Sequence, residues 1–208
     1  MDLPTTFGPI DIYLFDQILR GRITPAMRIL DAGCGAGRNL VYLLREGYDV
    51  WGVDEDTAGI AEARRLACVL APHWRGMNAA AADERFRVAA VESLTCPDAS
   101  FDVVLCSAVL HFARDEAHFD AMVRACWRVL RPGGLWFARL ASSDGLGDAV
   151  RWLSGRRAQL PDGSERFLVD AARLAALTDS LGGTLIDPLK TTIVHGQRSM
   201  ATWIARKR

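Results

Sequence analysis

The sequence predicts an α/β domain: a doubly wound, mostly parallel sheet with helices on both faces and an antiparallel strand at its C-terminal end. Three observations predict it. Short apolar runs at 28–32, 49–53, 86–90, 101–106 and 134–140 alternate with helical periodicity at 38–46, 57–70 and 115–130, the pattern of a parallel sheet crossed over by helices. The first run passes straight into the glycine-rich turn Gly33-Cys34-Gly35-Ala36-Gly37. Near the end, extended stretches at 184–194 and 198–206 are separated only by His195-Gly196-Gln197, a connection short enough to pair them as an antiparallel hairpin.

Each element has its own justification. Asp11 to Arg20 has helical spacing, with Ile12, Phe15 and Leu19 available for packing, so residues 1–25 read as an N-terminal helical cap. The strand at 28–32 meets three alternating glycines. Glycine takes positive φ, and without Cβ it lets the backbone approach a ligand closely, so Gly33 and Gly35 mark a nucleotide-type cofactor site. The second strand ends in Asp54, an acid placed to accept hydrogen bonds from both hydroxyls of a ribose or, alternatively, to cap the following helix. Residues 71–85, with Pro72 and an alanine run after Asn78, read as a partly helical surface insertion without chemistry. The fourth strand lies in Phe101-Asp102-Val103-Val104-Leu105-Cys106-Ser107, and the helix behind it stops at Leu130-Arg131-Pro132-Gly133-Gly134. Residues 141–169 lose all periodicity around several glycines and a proline, and read as a substrate lid or insertion. A helix near 170–181 leads into the final hairpin.

The spacing of the glycine turn separates two cofactor chemistries. A dinucleotide fingerprint needs G-x-G-x-x-G or a terminal alanine, but Arg38 stands where the small residue belongs and the third glycine arrives one position early at Gly37. The run Asp31-Ala32-Gly33-Cys34-Gly35-Ala36-Gly37 instead resembles motif I of the class I S-adenosylmethionine (SAM) methyltransferases. Asp49 to Asp54, the F-D-x-V run from Phe101 and the L-x-P-G-G run from Leu130 are similar to that family's later landmarks, in the same order, over about residues 28–140. Gly37-Arg38-Asn39-Leu40-Val41-Tyr42-Leu43 with Gly47-Tyr48-Asp49-Val50 looks most like the small tellurite-resistance members.

The resemblance implies a Rossmann-like fold and SAM as cofactor, with methyl transfer to a small-molecule acceptor. It also implies roles for Asp31, Gly33, Cys34, Gly35, Arg38, Asp54, Glu55, Val91, Glu92 and Ser107 in cofactor binding. Gly33 and Gly35 clear room for the methionine moiety, Arg38 faces its carboxylate, Asp54 takes the ribose and Glu55 lies by the adenine. Many members carry an acid after the third strand, but this chain has Ala90 there, so either Glu92 substitutes or the Val91 backbone and apolar walls hold the adenine. His111, just past the fourth strand, is the candidate catalytic base or else a packing histidine. Tyr13 and Arg20 are candidate contacts from the cap. Two other readings share part of this pattern: a non-catalytic SAM-binding protein and an NAD-linked oxidoreductase. Arg38 and the later landmarks argue against the second.

Composition narrows the partners. The 208 residues are 50% hydrophobic, enough for one domain over 1–208. Lys plus Arg equals Asp plus Glu at 25 each, so no overall field draws nucleic acid or an anionic membrane. Without a basic-then-apolar leader or a spanning run, the expectation is a cytoplasmic protein. Five scattered cysteines, Cys34, Cys68, Cys96, Cys106 and Cys126, fit neither a disulfide framework nor a zinc site, so no metal is expected. Cys34 and Cys106 fall at strand ends, where a compact buried filler explains them better than a nucleophile. Arg151, Arg156, Arg157 and Arg166 read as an anion-binding lid or as a solvated face. His118 and His73 read as surface residues, and His195 as a hairpin-turn residue away from the site.

Overall fold

The computed structural model describes residues 2–71 and 77–208. His73 and Pro72, both assigned to the surface insertion, lie outside the described residues. In chain order the first elements are α1 (Leu3–Phe7), α2 (Ile12–Leu19), β1 (Arg28–Ala32), α3 (Leu40–Arg45), β2 (Asp49–Asp54), α4 (Thr57–Leu70), α5 (Ala79–Arg85) and β3 (Phe86–Val88). Then come β4 (Phe101–Ser107), α6 (Glu116–Val129), β5 (Leu130–Ala141), β6 (Arg151–Ser154), β7 (Arg157–Gln159) and β8 (Glu165–Phe167). The tail contributes α7 (Ala171–Ser180), β9 (Gly183–Leu185), β10 (Lys190–Val194) and β11 (Arg198–Lys207).

The main sheet runs β10-β11-β5-β4-β1-β2-β3, with β9 also paired to β11. β1 pairs parallel with both β2 and β4, and β4 with β5. β11 is antiparallel to β5, β9 and β10, so it is the reversed strand of the sheet. This is the predicted Rossmann-like, mostly parallel arrangement with an antiparallel C-terminal strand. Because β1 connects onward to β2 on one side and has β4 on the other, the strand order reverses between β1 and β4. A crevice opens at the carboxyl ends of strands at such a point.

Alternating residues of the central strands feed two cores, one on each face. Leu30, Val104, Trp136 and Trp203 join α6 and α7, whereas Ile29, Val103, Phe137 and Ile204 join α2, α3 and α4. A strand buried on both faces needs a continuous apolar run rather than alternation, which is why Ile29-Leu30-Asp31-Ala32 is entirely buried. Side-chain caps fix the helix starts: Asp11, Asp56, Asn78, Asp115 and Asp170 each accept a backbone N–H in the first turn, worth about 1 kcal/mol apiece.

Several boundaries differ from the sequence reading. The helix expected from residue 38 begins at Leu40, because Gly37 to Asn39 continue the turn. β5 starts at Leu130 rather than 134, and Pro132-Gly133-Gly134 form an irregularity inside it, where the register on β4 shifts. The stretch 184–194 is split into β9 and β10 around Asp187-Pro188, since proline cannot donate to a ladder. In α2 the buried residues are Leu14, Gln17 and Ile18, while Ile12 and Leu19 are exposed. Residues 141–169 are not irregular: β6, β7 and β8 make a small antiparallel meander over its own apolar cluster of Leu146, Val150, Ala158, Leu160 and Leu168.

Candidate active site at the carboxyl end of the sheet

The glycine turn is tied to its neighbour strand. The Gly33 and Cys34 amides donate to the Val53 carbonyl at 2.8 and 3.0 Å. The Gly35 amide donates to Asp54 Oδ2 at 2.7 Å, and Asp54 Oδ1 accepts from the Asp56 amide at 2.8 Å. Asp54 therefore braces the turn and leads the chain into α4, while still lining a cavity. Gly33 has φ of +84°, and a Cβ there would come within 2.2 Å of a Val109 methyl. The room cleared at Gly33 is thus claimed by Val109. At Gly35, with φ of +51°, a Cβ would meet nothing nearer than Asp54 Oδ2 at 4.0 Å, so the space beside its α-carbon stays open.

Asp31 is 1% exposed, and neither carboxyl oxygen has a hydrogen-bond partner. Burial pushes its pKa up to about 7, against the opposing pull of Arg38 and with a smaller push from Asp54. Such an uncompensated acid costs several kcal/mol unless it is protonated or a cation reaches it. Cys34 is buried, and burial, then Asp31 and Asp54, raise its thiol well above the ordinary range, so it is inert filler. Cys106 is held as a thiol by its hydrogen bond with Cys126 and by burial.

Two cavities of about 310 Å³ each lie at this end of the sheet, and Ala108 lines both. Ala108 follows β4 with φ of +64°, a left-handed conformation that alanine adopts only under constraint. Its amide is fixed by the Arg139 carbonyl at 2.7 Å. The first cavity is walled by Gly33, Asp54, Glu55, Val91, Glu92 and Val109, among others. The second is walled by Arg38, His111, Arg139, Arg166, Arg198 and Ser199, with apolar surface from Leu160 and Met200. The residues expected to bind the cofactor thus divide: Gly33, Asp54, Glu55, Val91 and Glu92 share the first cavity, Arg38 lies in the second, and Arg38 donates to Ser107 Oγ at 3.3 Å.

Glu92, two residues after Ala90, has a partner of its own. His118 Nε2 lies 2.9 Å from Glu92 Oε1, and the His118 side chain is only 11% exposed. His118, read as a surface residue, is therefore a wall of the first cavity. His111 is buried, and its Nδ1 accepts from the Ala141 amide at 3.3 Å. That places the proton of the neutral ring on Nε2. Burial, then the Arg166 charge, lowers the His111 pKa to about 4. The N-terminal cap reaches the site less directly than expected. Tyr13 bonds Thr192 and lies under the Arg139 guanidinium, while Arg20 pairs with Asp16 and Asp187. Of the four arginines read as a lid, Arg156 pairs with Asp170 and Glu116, Arg157 with Glu165, and Arg151 bonds Gln159, so Arg166 is the one in the cavity.

The sequence reading missed Arg139, Arg198, Ser199, Ala108 and Val109. Ala108 and Val109 directly follow the fourth-strand run that ends at Ser107, so their position next to a landmark was a signal. The other three come together only through the pairing of β11 on β5. His195 is where it was expected, in the turn between β10 and β11 and outside both cavities. Among the described residues no helix is long and apolar enough to cross a membrane.

Comparison with known proteins agrees with this architecture. The methyltransferase domain family matches residues 30–138. A ubiquinone biosynthesis O-methyltransferase of Methylocella silvestris is 39% identical over 112 residues, 54% of this chain and 39% of that protein. A probable S-adenosylmethionine-dependent methyltransferase of Mycolicibacterium smegmatis is 30% identical over 169 residues, 81% of this chain and 55% of that protein. The chain thus spans about two fifths to about half of the length of these two curated relatives. In fold it is similar to Burkholderia thailandensis 1,6-didemethyltoxoflavin-N1-methyltransferase, with a TM-score of 0.68 at 22% identity over 99% of this chain and 81% of that one. With a match that takes in the glycine turn, Asp54 and the whole of β4, the chain belongs to the methyltransferase domain family.

Proposed function

We propose that the protein transfers a methyl group from S-adenosylmethionine to a small-molecule acceptor. The observation that carries this reading is the meeting of two separate cavities at Ala108, one beside the glycine turn and Asp54, the other beside His111 and Arg139. A cofactor and an acceptor seated in the two would face each other at the end of β4. The residues fit the cofactor. Asp31 is a buried carboxylate without a partner, suited to an ammonium. Gly35 offers open main chain, and Asp54 and Glu55 put acids where sugar hydroxyls would bind. Val91, with Met122, supplies apolar wall for a base, and Glu92 with His118 a polar edge. When bound, the cofactor would supply an electrophilic methyl on a sulfonium, with the sulfur as the leaving group that keeps the bonding pair and an acceptor lone pair as the nucleophile.

The chain's own contribution is placement. Holding a nucleophile in line against its target is worth about 7–11 kcal/mol, more than the 10²- to 10⁴-fold of a general base. His111 suits placement better than proton abstraction. Its Nδ1 is engaged by the Ala141 amide and its Nε2 carries the proton, so it offers a donor to the acceptor cavity rather than a base. The meander β6-β7-β8 closes that cavity through Leu160 and Arg166, and so acts as the acceptor lid. Titration calorimetry with S-adenosylhomocysteine, then turnover of methyl-labelled S-adenosylmethionine against a metabolite panel, tests the reading. Micromolar product binding and label transfer are expected. Failure of the wild-type protein to bind S-adenosylhomocysteine or S-adenosylmethionine would overturn it.

A further inference from the structure

The acceptor cavity has a charge that methyl transfer does not require. Arg38, Arg139, Arg166 and Arg198 line it, against the single acid Asp162. Arg139 pairs with the buried Asp11 at 3.0 Å, which cancels one charge. Arg38 is held on Ser107. Arg166 and Arg198 make no ion pair among the described residues. Asp162, whose Oδ1 accepts from the Ser164 amide and hydroxyl at 2.9 and 2.6 Å, feels both charges without forming an ion pair with either. Four guanidinium charges against Asp11 and Asp162 leave a surplus of two positive charges.

The polar atoms at the cavity wall are also short of partners. Ser199 is fully buried with its hydroxyl unpartnered, and Arg139 Nε is buried and unpartnered too. Buried donors without acceptors are uncommon in folded proteins and call for a ligand or water. Beside them, Leu160 and Met200 give the cavity an apolar wall. Arg166 also lies 4.9 Å over the Phe112 ring, and Phe112 lines the first cavity, so this arginine spans the boundary between the two.

We propose that the methyl acceptor is a small amphipathic anion, its carboxylate or phosphate gripped by Arg166 and Arg198 and its body laid on Leu160 and Met200 toward Ala108. This rests on the reading of the second cavity as the acceptor's. A carboxylate whose lone pairs are held by guanidinium forks is a poor nucleophile, so the anionic group is the handle and the methylated atom is elsewhere on the acceptor. The same chemistry has a second source, the carboxylate of the cofactor's own methionine, and the test must part the two.

Binding of benzoate, phenyl phosphate and neutral benzamide to the full chain saturated with S-adenosylhomocysteine, measured by titration calorimetry and ligand-observed NMR, makes the comparison. Either anion should bind at least tenfold tighter than benzamide. Arg166→Gln and Arg198→Gln should each weaken the anions by about tenfold and leave S-adenosylhomocysteine affinity unchanged. Arg198 is exposed and outside both cores, so its variant stays folded even if the Arg166 variant does not. Equal binding of benzoate and benzamide, no saturable anion binding, or unaltered anion affinity in Arg198→Gln overturns the proposal. Loss of S-adenosylhomocysteine in step with the anions also overturns it, by assigning the arginines to the cofactor. Wild-type protein that binds no S-adenosylhomocysteine would instead refute the methyltransferase reading itself.

Discussion

Asp31 should couple cofactor binding to proton release. Its carboxyl is 1% exposed, with both oxygens unpartnered, and burial raises its pKa from 3.8 to about 7. That rise corresponds to about 4 kcal/mol against the charged form. A cofactor ammonium bound near it would offset the burial penalty with its charge, so the proton leaves on binding. The unliganded carboxyl gains its proton as pH falls through about 7, so binding should release a fraction of a proton at pH 7 and a larger one, approaching a whole proton, at pH 6. Calorimetry of S-adenosylhomocysteine binding in phosphate and in imidazole, whose protonation heats differ, counts that proton directly. In Asp31→Asn the linkage should vanish and affinity fall by about tenfold or more. Tight binding without proton release at either pH, or the same release in Asp31→Asn, would refute the reasoning.

Gly33→Ala should lose about 2–4 kcal/mol of stability, from left-handed strain and from the push on Val109. Adding Val109→Ala should recover the steric part in urea unfolding, and a double variant no more stable than the single one would acquit Val109. Asp54→Ala should weaken S-adenosylhomocysteine by tenfold or more, because the same carboxylate braces the Gly35 amide and lines the cavity. Calorimetry giving wild-type affinity would contradict this. His111 should titrate near pH 4 by NMR, so the ring itself contributes no inflection to turnover at saturating cofactor between pH 6 and 7. A midpoint near 6.5 would place the ring in water, not in the wall described above.

The fold was legible where burial forces a pattern. Ile29-Leu30-Asp31-Ala32, apolar but for Asp31, and Val103-Val104-Leu105-Cys106 are buried on both faces, and glycines follow the first of them, so β1, β4 and the turn could be read directly. The meander could not. All four residues of β6 are exposed, so Arg151-Trp152-Leu153-Ser154 show no alternation, and the strands are only three or four residues long. The site was half legible for a similar reason. Gly33, Gly35, Asp54 and Glu92 lie in local motifs, but Arg139, Arg198 and Ser199 meet only because β11 folds back on β5 and β10. Local sequence carries no trace of such a meeting. His118 was misplaced because a polar residue on the first turn of α6 looks solvated until the turn at Val91–Ser93 brings Glu92 against it.

Asp31 and His111 sit at the same end of the sheet and are both desolvated, yet burial moves their pKa values in opposite directions. For Asp31 the folded value is raised, so its stabilising share is full below about pH 4 and is lost as pH rises through about 7. For His111 the folded value is lowered, so its share is full above about 6.5 and is lost as pH falls through about 4. Between about pH 4 and 6.5 the folded chain holds a proton on Asp31 and none on His111, whereas the unfolded chain holds it on the histidine. The two states bind equal numbers of protons through these groups, so their contributions to the pH slope of stability cancel. Removing either one exposes the other: Asp31→Asn leaves stability rising with pH, and His111→Gln leaves it falling, each by about 1.4 kcal/mol per pH unit. A fold can therefore keep an uncompensated buried acid ready for a cation without becoming sensitive to pH, provided a second buried group of opposite titration balances it.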